Sequence, residues 1–123
     1  LIRLYDLLIQ HDRAYTGIAV RGSPLITVTN NFRVYKGLSI SGSPLYTIKN
    51  NKLFNGIAVS GYPLATLVGD LIFLGSDVAG VPIARIQRTR SYKGINIAGS
   101  PVVTVPSGNI LTLFAATYHA LLG

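Results

Sequence analysis

An all-β fold built by tandem repetition is what this sequence predicts, on three observations. First, a Gly–x4–Gly–x–Pro pattern occurs five times, with first glycines 20, 19, 19 and 19 residues apart. The glycine pairs are Gly17/Gly22, Gly37/Gly42, Gly56/Gly61, Gly75/Gly80 and Gly94/Gly99, and the prolines are Pro24, Pro44, Pro63, Pro82 and Pro101. Recurrence at such a period marks a repeat architecture. Second, the stretches between these markers are rich in Val, Ile, Thr, Tyr and Phe in alternation, which is strand chemistry. Third, each copy carries two turn signals, so the unit is two strands in about 20 residues.

Taking one unit in order, an aromatic stands two residues before each first Gly: Tyr15, Tyr35, Phe54, Phe73 and Tyr92. Beside a strand glycine it covers bare backbone, a structural reason for the column that precedes any binding one. Apolar columns follow at Ile18, Leu38, Ile57, Ile95 and at Val20, Ile40, Val59, Val78, Ile97, with Ser76 interrupting the first. These read as core positions. Phe32, Val34, Leu38 and Ile40 would share one face of a long strand that Lys36 interrupts. The segment through the second Gly to the Pro is the first turn, because Pro fixes φ and lacks a donor. The glycines and prolines are thus structural repeat residues, punctuating turns and strands. A Thr column comes next, at Thr27, Thr47, Thr66 and Thr104, replaced by Arg85 in the fourth copy. The second turn falls at Asn30-Asn31, Asn50-Asn51, Gly69-Asp70, the weaker Arg88-Thr89, and Pro106-Ser107-Gly108-Asn109.

Five to six such units fit a hairpin-built closed or sandwiched β fold, with a β-solenoid as the alternative. No linker divides the chain. Residues 1–123 read as a single domain: an N-terminal cap or partial repeat over 1–14, five repeats over 15–108 and a C-terminal cap over 109–123. The first segment is either a partial repeat, since Arg13-Ala14-Tyr15 parallels Arg33-Val34-Tyr35, or a short amphipathic helix with Leu1, Leu4, Tyr5 and Leu8 in register. The tail reads as a strand over Asn109–Phe114, then strand or helix over Ala115–Leu122. Unlike ends are expected of a repeat array, which must be capped.

Apolar residues make up 49% and charged residues 12% of the chain, about half the usual charged share. The excess reaches both faces of some strands, as in Leu71-Ile72-Phe73-Leu74, and predicts surface covered by other subunits. No run is long enough to span a bilayer as a helix. Without Cys there is no disulfide, thiolate ligand or Cys nucleophile.

The net charge is +7, with only Asp6, Asp12, Asp70 and Asp77 as acids. This favours polyanions or acidic surfaces. Basic residues thicken at Arg85, Arg88, Arg90 and Lys93, the candidate polyanion or partner contact. Alternation puts Arg88 and Arg90 on one side if that stretch is extended; the competing reading is a solvated turn in a divergent repeat. Chemistry is scarce. His11 and Asp12 are adjacent, so a strand would point them apart, and His119 has no acid near it in sequence. Asp77 and Asn96 share one repeat column. The glycines lack the helix and Lys-Ser/Thr pair of a phosphate loop. Neither catalytic residues nor a metal or cofactor site are expected.

The expected function is therefore a non-enzymatic structural or assembly protein. Its partners would be copies of itself and other structural proteins. Among such proteins a virion component fits best, a capsid cement or decoration protein or part of a bacteriophage tail or fibre, located in a virion or outside the cell. That step is architectural analogy. The alternative is a lectin using Tyr15, Tyr35 and Tyr92 with Asn30, Asn31, Asn50 and Asn51. An acidic surface or glycan ranks above nucleic acid as a polyanionic partner, because the aromatic column also occurs beside no basic residue.

Overall fold

The computed structural model describes residues 11–123. Ten antiparallel strands close into one barrel in the order β1-β10-β9-β8-β7-β6-β5-β4-β3-β2. They are β1 (His11–Thr16), β2 (Ile26–Thr29), β3 (Arg33–Lys36), β4 (Tyr46–Lys49), β5 (Lys52–Asn55), β6 (Ala65–Val68), β7 (Leu71–Leu74), β8 (Ala84–Gln87), β9 (Arg90–Lys93) and β10 (Val103–Thr104). A helix, α1 (Ile110–Leu122), follows. The hairpin-built closed form is the one adopted, and the solenoid is not. The expectation for residues 1–10 lies outside the described residues. Arg13-Ala14-Tyr15 does belong to a strand equivalent to β3, in keeping with a partial repeat.

Two kinds of connection alternate. At one end of the barrel, tight turns join β2–β3, β4–β5, β6–β7 and β8–β9. Asn50 and Asn51 both have positive φ, the two-residue hairpin geometry that Asn tolerates, and Gly69 supplies it in the next hairpin. At the other end, long arches join β1–β2, β3–β4, β5–β6, β7–β8 and β9–β10. Each arch is pinned at its base by a recurring pair of bonds. Gly37 N donates to Leu25 O at 2.9 Å and Leu45 N to Val34 O at 2.7 Å, and equivalents recur around the ring.

The glycine pattern is explained by these arches. Every first Gly has φ between 62° and 79° and stands where a strand ends. The second glycines Gly22, Gly42, Gly61 and Gly99 are left-handed too, at φ 76°, 81°, 80° and 77°. Their place differs from the one expected of tight turns between strands. Gly42, Gly61 and Gly99, like Gly22, are exposed at bends partway along an arch, several residues from either flanking strand. The reason is that the arch is closed at its base by the first Gly and the residue after the Pro, so the second Gly only redirects the loop. A Cβ at any of these positions meets nothing within 4 Å, so the demand is on backbone conformation alone. The arches also correct the long-strand expectation. Gly37 ends β3 after Lys36, and Leu38 and Ile40 lie in the arch.

Inside the barrel, Ala14, Ile26, Val34, Leu53, Ile72 and Val103 are fully buried. Four consecutive helix residues, Leu113, Phe114, Ala115 and Ala116, are fully buried too. At 100° per residue they face every direction, so α1 occupies the lumen. The dimensions agree. Ten strands about 4.8 Å apart, tilted about 40°, enclose a backbone diameter of roughly 20 Å. A helix of about 10 Å fills it where inward residues are small, and Ala14, Ala65, Ala84 and Ser91 stand on the inner face. The strand expected over Asn109–Phe114 is thus a helix. Asn109 caps it, its side chain accepting from Leu111 N at 3.0 Å and Thr112 N at 3.4 Å. Burial overrides the weak helix propensity of Thr112 and Phe114.

Truncating Phe114 to Ala should destabilise the protein by about 3–5 kcal/mol, measured by chemical denaturation, because the lumen cannot collapse onto the gap. Gly37→Ala should cost about 1 kcal/mol in the same measurement. Gly80, the one arch glycine without positive φ, should accept Ala with no loss or a gain of about 0.5 kcal/mol.

Candidate functional site

The arch end carries an apolar crown. Ile18, Leu38, Ile57 and Ile95 are 61%, 60%, 62% and 50% exposed. Val20, Ile40, Val59, Val78 and Ile97 are exposed beside them. Their hydrophobicity places these two columns in the core by sequence. They lie outside because the glycines turn the chain out of the strand before it reaches them. Only Arg21 and Asp77 bring charge to the arches. Asp77 has a local role, its carboxylate accepting from Ala79 N at 2.9 Å. Ser39 occupies the same column and accepts from Ser41 N at 3.3 Å, so the column shapes arches.

The outer wall repeats a three-part pattern. Thr27 faces Arg13 on one neighbouring strand and Tyr35 on the other, and Thr47, between Arg33 and Phe54, does likewise. Each Thr hydroxyl donates to a first-glycine carbonyl: Thr27 to Gly37 at 2.6 Å, Thr47 to Gly56 at 2.8 Å, Thr66 to Gly75 at 2.7 Å and Thr104 to Gly17 at 2.6 Å. The last bond closes the ring. Phe54 and Phe73 are buried on this outer side within the single chain. Of Leu71-Ile72-Phe73-Leu74 only Leu74 is well exposed, so most of that two-faced apolar stretch is covered by the chain itself.

Of the expected basic cluster, Arg85 and Arg90 stand on the paired strands β8 and β9 and Arg88 in the turn that joins them, while Lys93 lies apart. Arg88 is in the β8–β9 turn with φ 59°, so Arg88 and Arg90 are not two positions of one extended strand. Arg85 faces outward and pairs with Asp70 at 3.3 Å. Lys93 lies at the other end, where it lines a cleft with Leu121 and Leu122 near the C-terminal end of α1, an end that favours cations. The lectin candidates separate as well. Asn31 is in the turn and Tyr35 is four residues further along, about 13 Å by strand rise.

His11 and His119 sit at opposite ends. His11 pairs in register with Thr29, while Asp12 faces Val28 on the other side of the strand and accepts from the Ser107 hydroxyl at 2.7 Å. A cleft of about 400 Å³ lies there, lined by both residues and by Asn30, Phe32 and Asn109. His119 Nδ1 is 2.7 Å from the Tyr46 hydroxyl, and the rings of Tyr46 and Tyr118 meet edge-to-face at 5.7 Å. Burial, and then the charge of Lys36, lowers the His119 pKa; burial, and then Tyr118, raises that of Tyr46. With the imidazole neutral, its tautomer sets which of Nδ1 and the Tyr46 hydroxyl donates. Among the described residues, no group of three or more His, Asp or Glu is placed to hold a metal ion. No helix among them is long and apolar enough to cross a membrane.

No family model matches the chain, and no match was found to a curated protein or to a solved structure.

Unfolded His119 takes up a proton near its ordinary pKa of 6.5, which the folded imidazole takes up only at lower pH. Its contribution to stability is therefore complete above about pH 6.5 and is lost as pH falls through the lowered folded value. Chemical denaturation as a function of pH should show this loss, and His119→Gln should flatten that part of the profile.

Proposed function

We propose that this chain is a non-catalytic assembly module that docks through its apolar crown, with a second copy of itself as the occupant. The observation that carries the reading is the crown: exposed aliphatic residues from all five arches at one end, with two charged residues among them. Monomeric proteins rarely leave so much contiguous apolar surface in water. A closed barrel offers no free strand edge, so association by strand addition is not open to it. The crown gathers more exposed aliphatic side chains than the opposite end, where Phe32, Val68 and Ile110 are exposed. A disc about 30 Å across, the barrel plus its outer side chains, covers roughly 700 Å², close to the ~800 Å² per partner of a stable interface. Two such faces also meet without charge conflict. The narrower reading, a virion decoration, cement or tail component, draws its support from the repetition, the low charge and the scarcity of reactive groups in the sequence.

Size-exclusion chromatography with light scattering tests the reading. The wild-type chain should elute as a dimer or larger assembly. Leu38→Asp with Ile57→Asp should give a folded monomer whose denaturation midpoint no longer rises with protein concentration as that of the wild type does, because both side chains are exposed in the single chain. A wild-type chain that stays monomeric at high micromolar concentration would overturn it.

A further inference from the structure

We propose that the wall formed by β9, β10, β1, β2 and β3 binds single-stranded nucleic acid, laid across the strands on three Arg-x-Tyr units. The units are Arg90/Tyr92, Arg13/Tyr15 and Arg33/Tyr35, each on one odd-numbered strand with both side chains on the outer face. Ring closure makes them neighbours. Strands β9 and β1 are separated only by β10, and β1 and β3 only by β2. Successive units therefore lie about 10 Å apart. This adjacency is invisible in the sequence, where Tyr15 and Tyr92 are far apart.

The aromatic column divides along the same line. Tyr occurs where the residue two before it is Arg. On β5 and β7 that residue is Lys52 or Leu71, and the aromatic is Phe, buried in each case. Half of the wall thus presents cations with partly exposed phenol rings, and the other half covers its rings. The unlike halves remove the ground for ranking nucleic acid low.

The three arginines are not spent on internal partners. In each, Nε is buried and lacks a hydrogen-bond partner, so the stem is packed while no acceptor claims the guanidinium there. Among the described residues the only ion pair joins Arg85 to Asp70. Asp12 is turned inward and held by Ser107, and Asp77 lies in an arch. Among the described residues, no carboxylate pairs with the cations of this wall.

A cation and an aromatic ring repeating side by side match the phosphate and base of a single strand. Phosphates find guanidinium groups, and bases find rings on which any base stacks. The wall is convex, so a flexible strand can follow it across all three units while a rigid duplex touches it along a line. The span of about 20 Å between the outer units suits a site at the short end of the roughly 4–16 nucleotides that single-strand binders cover.

Fluorescence anisotropy of the full chain with labelled oligo-dT of about 12 nucleotides tests the proposal, with a duplex of equal length and heparin as the other arms. Binding to oligo-dT should weaken with salt at a log–log slope near −2, from three phosphates at about 0.7 each. Arg13→Gln, Arg33→Gln and Arg90→Gln together should lower affinity at least about tenfold and flatten that slope. Tyr15→Leu, Tyr35→Leu and Tyr92→Leu together should lower oligo-dT affinity by about a hundredfold or more and leave heparin binding unchanged. The Tyr→Phe triple variant, which keeps the rings, should bind as the wild type. Should the Leu variant fail to fold, the Arg variant and the oligo-dT versus duplex comparison decide. No binding of oligo-dT, a preference for duplex, or an Arg variant that binds unchanged would overturn the proposal. A folded Leu variant with undiminished oligo-dT affinity would overturn it in favour of a simple polyanion exchanger such as an acidic-glycan binder.

Discussion

Ten strands, most of four residues, cannot form a stable sheet unless the ring closes, and a ring of ten cannot close on an empty lumen. That steric constraint organises the rest of the molecule. Strands this short supply few ladder bonds each, and an isolated hairpin of such strands is marginal in water. The barrel gains by having no edge, every strand being paired on both sides. The cost is a cavity too wide for inward side chains to fill from one layer. Helix α1 supplies the missing volume, and its side chains set what the inner face can be. Where the helix approaches closely the inner column is small, as at Ala14 and Ala84. At Ser91 it is polar, because the hydroxyls of Ser91 and Thr117 lie 2.6 Å apart in the buried interior. Paired in this way the two hydroxyls can be buried without the penalty of an unsatisfied group.

Repetition solves the closure problem in a way that a single irregular sheet could not. The same left-handed glycine ends every odd-numbered strand, and in four of five copies its carbonyl accepts from a Thr hydroxyl on the even-numbered strand paired with it. The open end of each such strand pair is thereby tied by a side chain as well as by backbone. The bond from Thr104 to Gly17 is the fifth-hairpin version of the same contact, made across the two ends of the array. Below it, the Ser107–Asp12 bond fixes the helix entry to β1. One local rule applied around the ring therefore specifies a global closure. Agreement between local and global preference of this kind is what gives a sequence one native state.

The repeat unit, the turns and the hairpin character were legible in the sequence because they rest on local chemistry. Gly22-Ser23-Pro24 and Asn50-Asn51 restrict φ whatever surrounds them. That Gly42, Gly61 and Gly99 bend an arch, instead of closing a tight turn, was not legible, because the length of the loop depends on where the strand before it stops. The destination of Ile18, Leu38, Ile57 and Ile95 was hidden with it. Their hydrophobicity matches a core column, and only the left-handed glycine beside them, whose φ a sequence cannot display, sends them outward. The helix reads as strand over Asn109–Phe114 because Ile110, Thr112 and Phe114 have strand-like propensities. What overrides propensity is a lumen that exists only once the ring has closed. The adjacency of Tyr92, Tyr15 and Tyr35 was hidden for the same reason. Of the basic residues near in sequence, Arg85, Arg88 and Arg90 stay around one hairpin, while Lys93 is carried to the other end of the barrel.

The fourth repeat shows which regularities the fold requires and which it does not. Its Thr is replaced by Arg85, so the bond to a glycine carbonyl is absent, and the guanidinium instead lies 3.4 Å from the Ile95 carbonyl at Nη1. Directly opposite Arg85 stands Leu71, at the position that holds Arg13, Arg33, Lys52 and Arg90 elsewhere. The cation and the uncharged residue have exchanged places across one pair of strands. Each of the five pairs still carries one positive charge. A fold that needed only the hydroxyl bond has no use for that exchange, and a wall whose charge is merely incidental has no reason to be even. The exchange does cost the fourth copy something, because Arg85 is neutralised by Asp70 and the aromatic of that repeat is buried as Phe73. The wall is thus uniform in charge count but not in availability. The half that spans the seam of the ring presents its cations without an ion pair, beside partly exposed rings, while the opposite half pairs Arg85 and covers both of its rings.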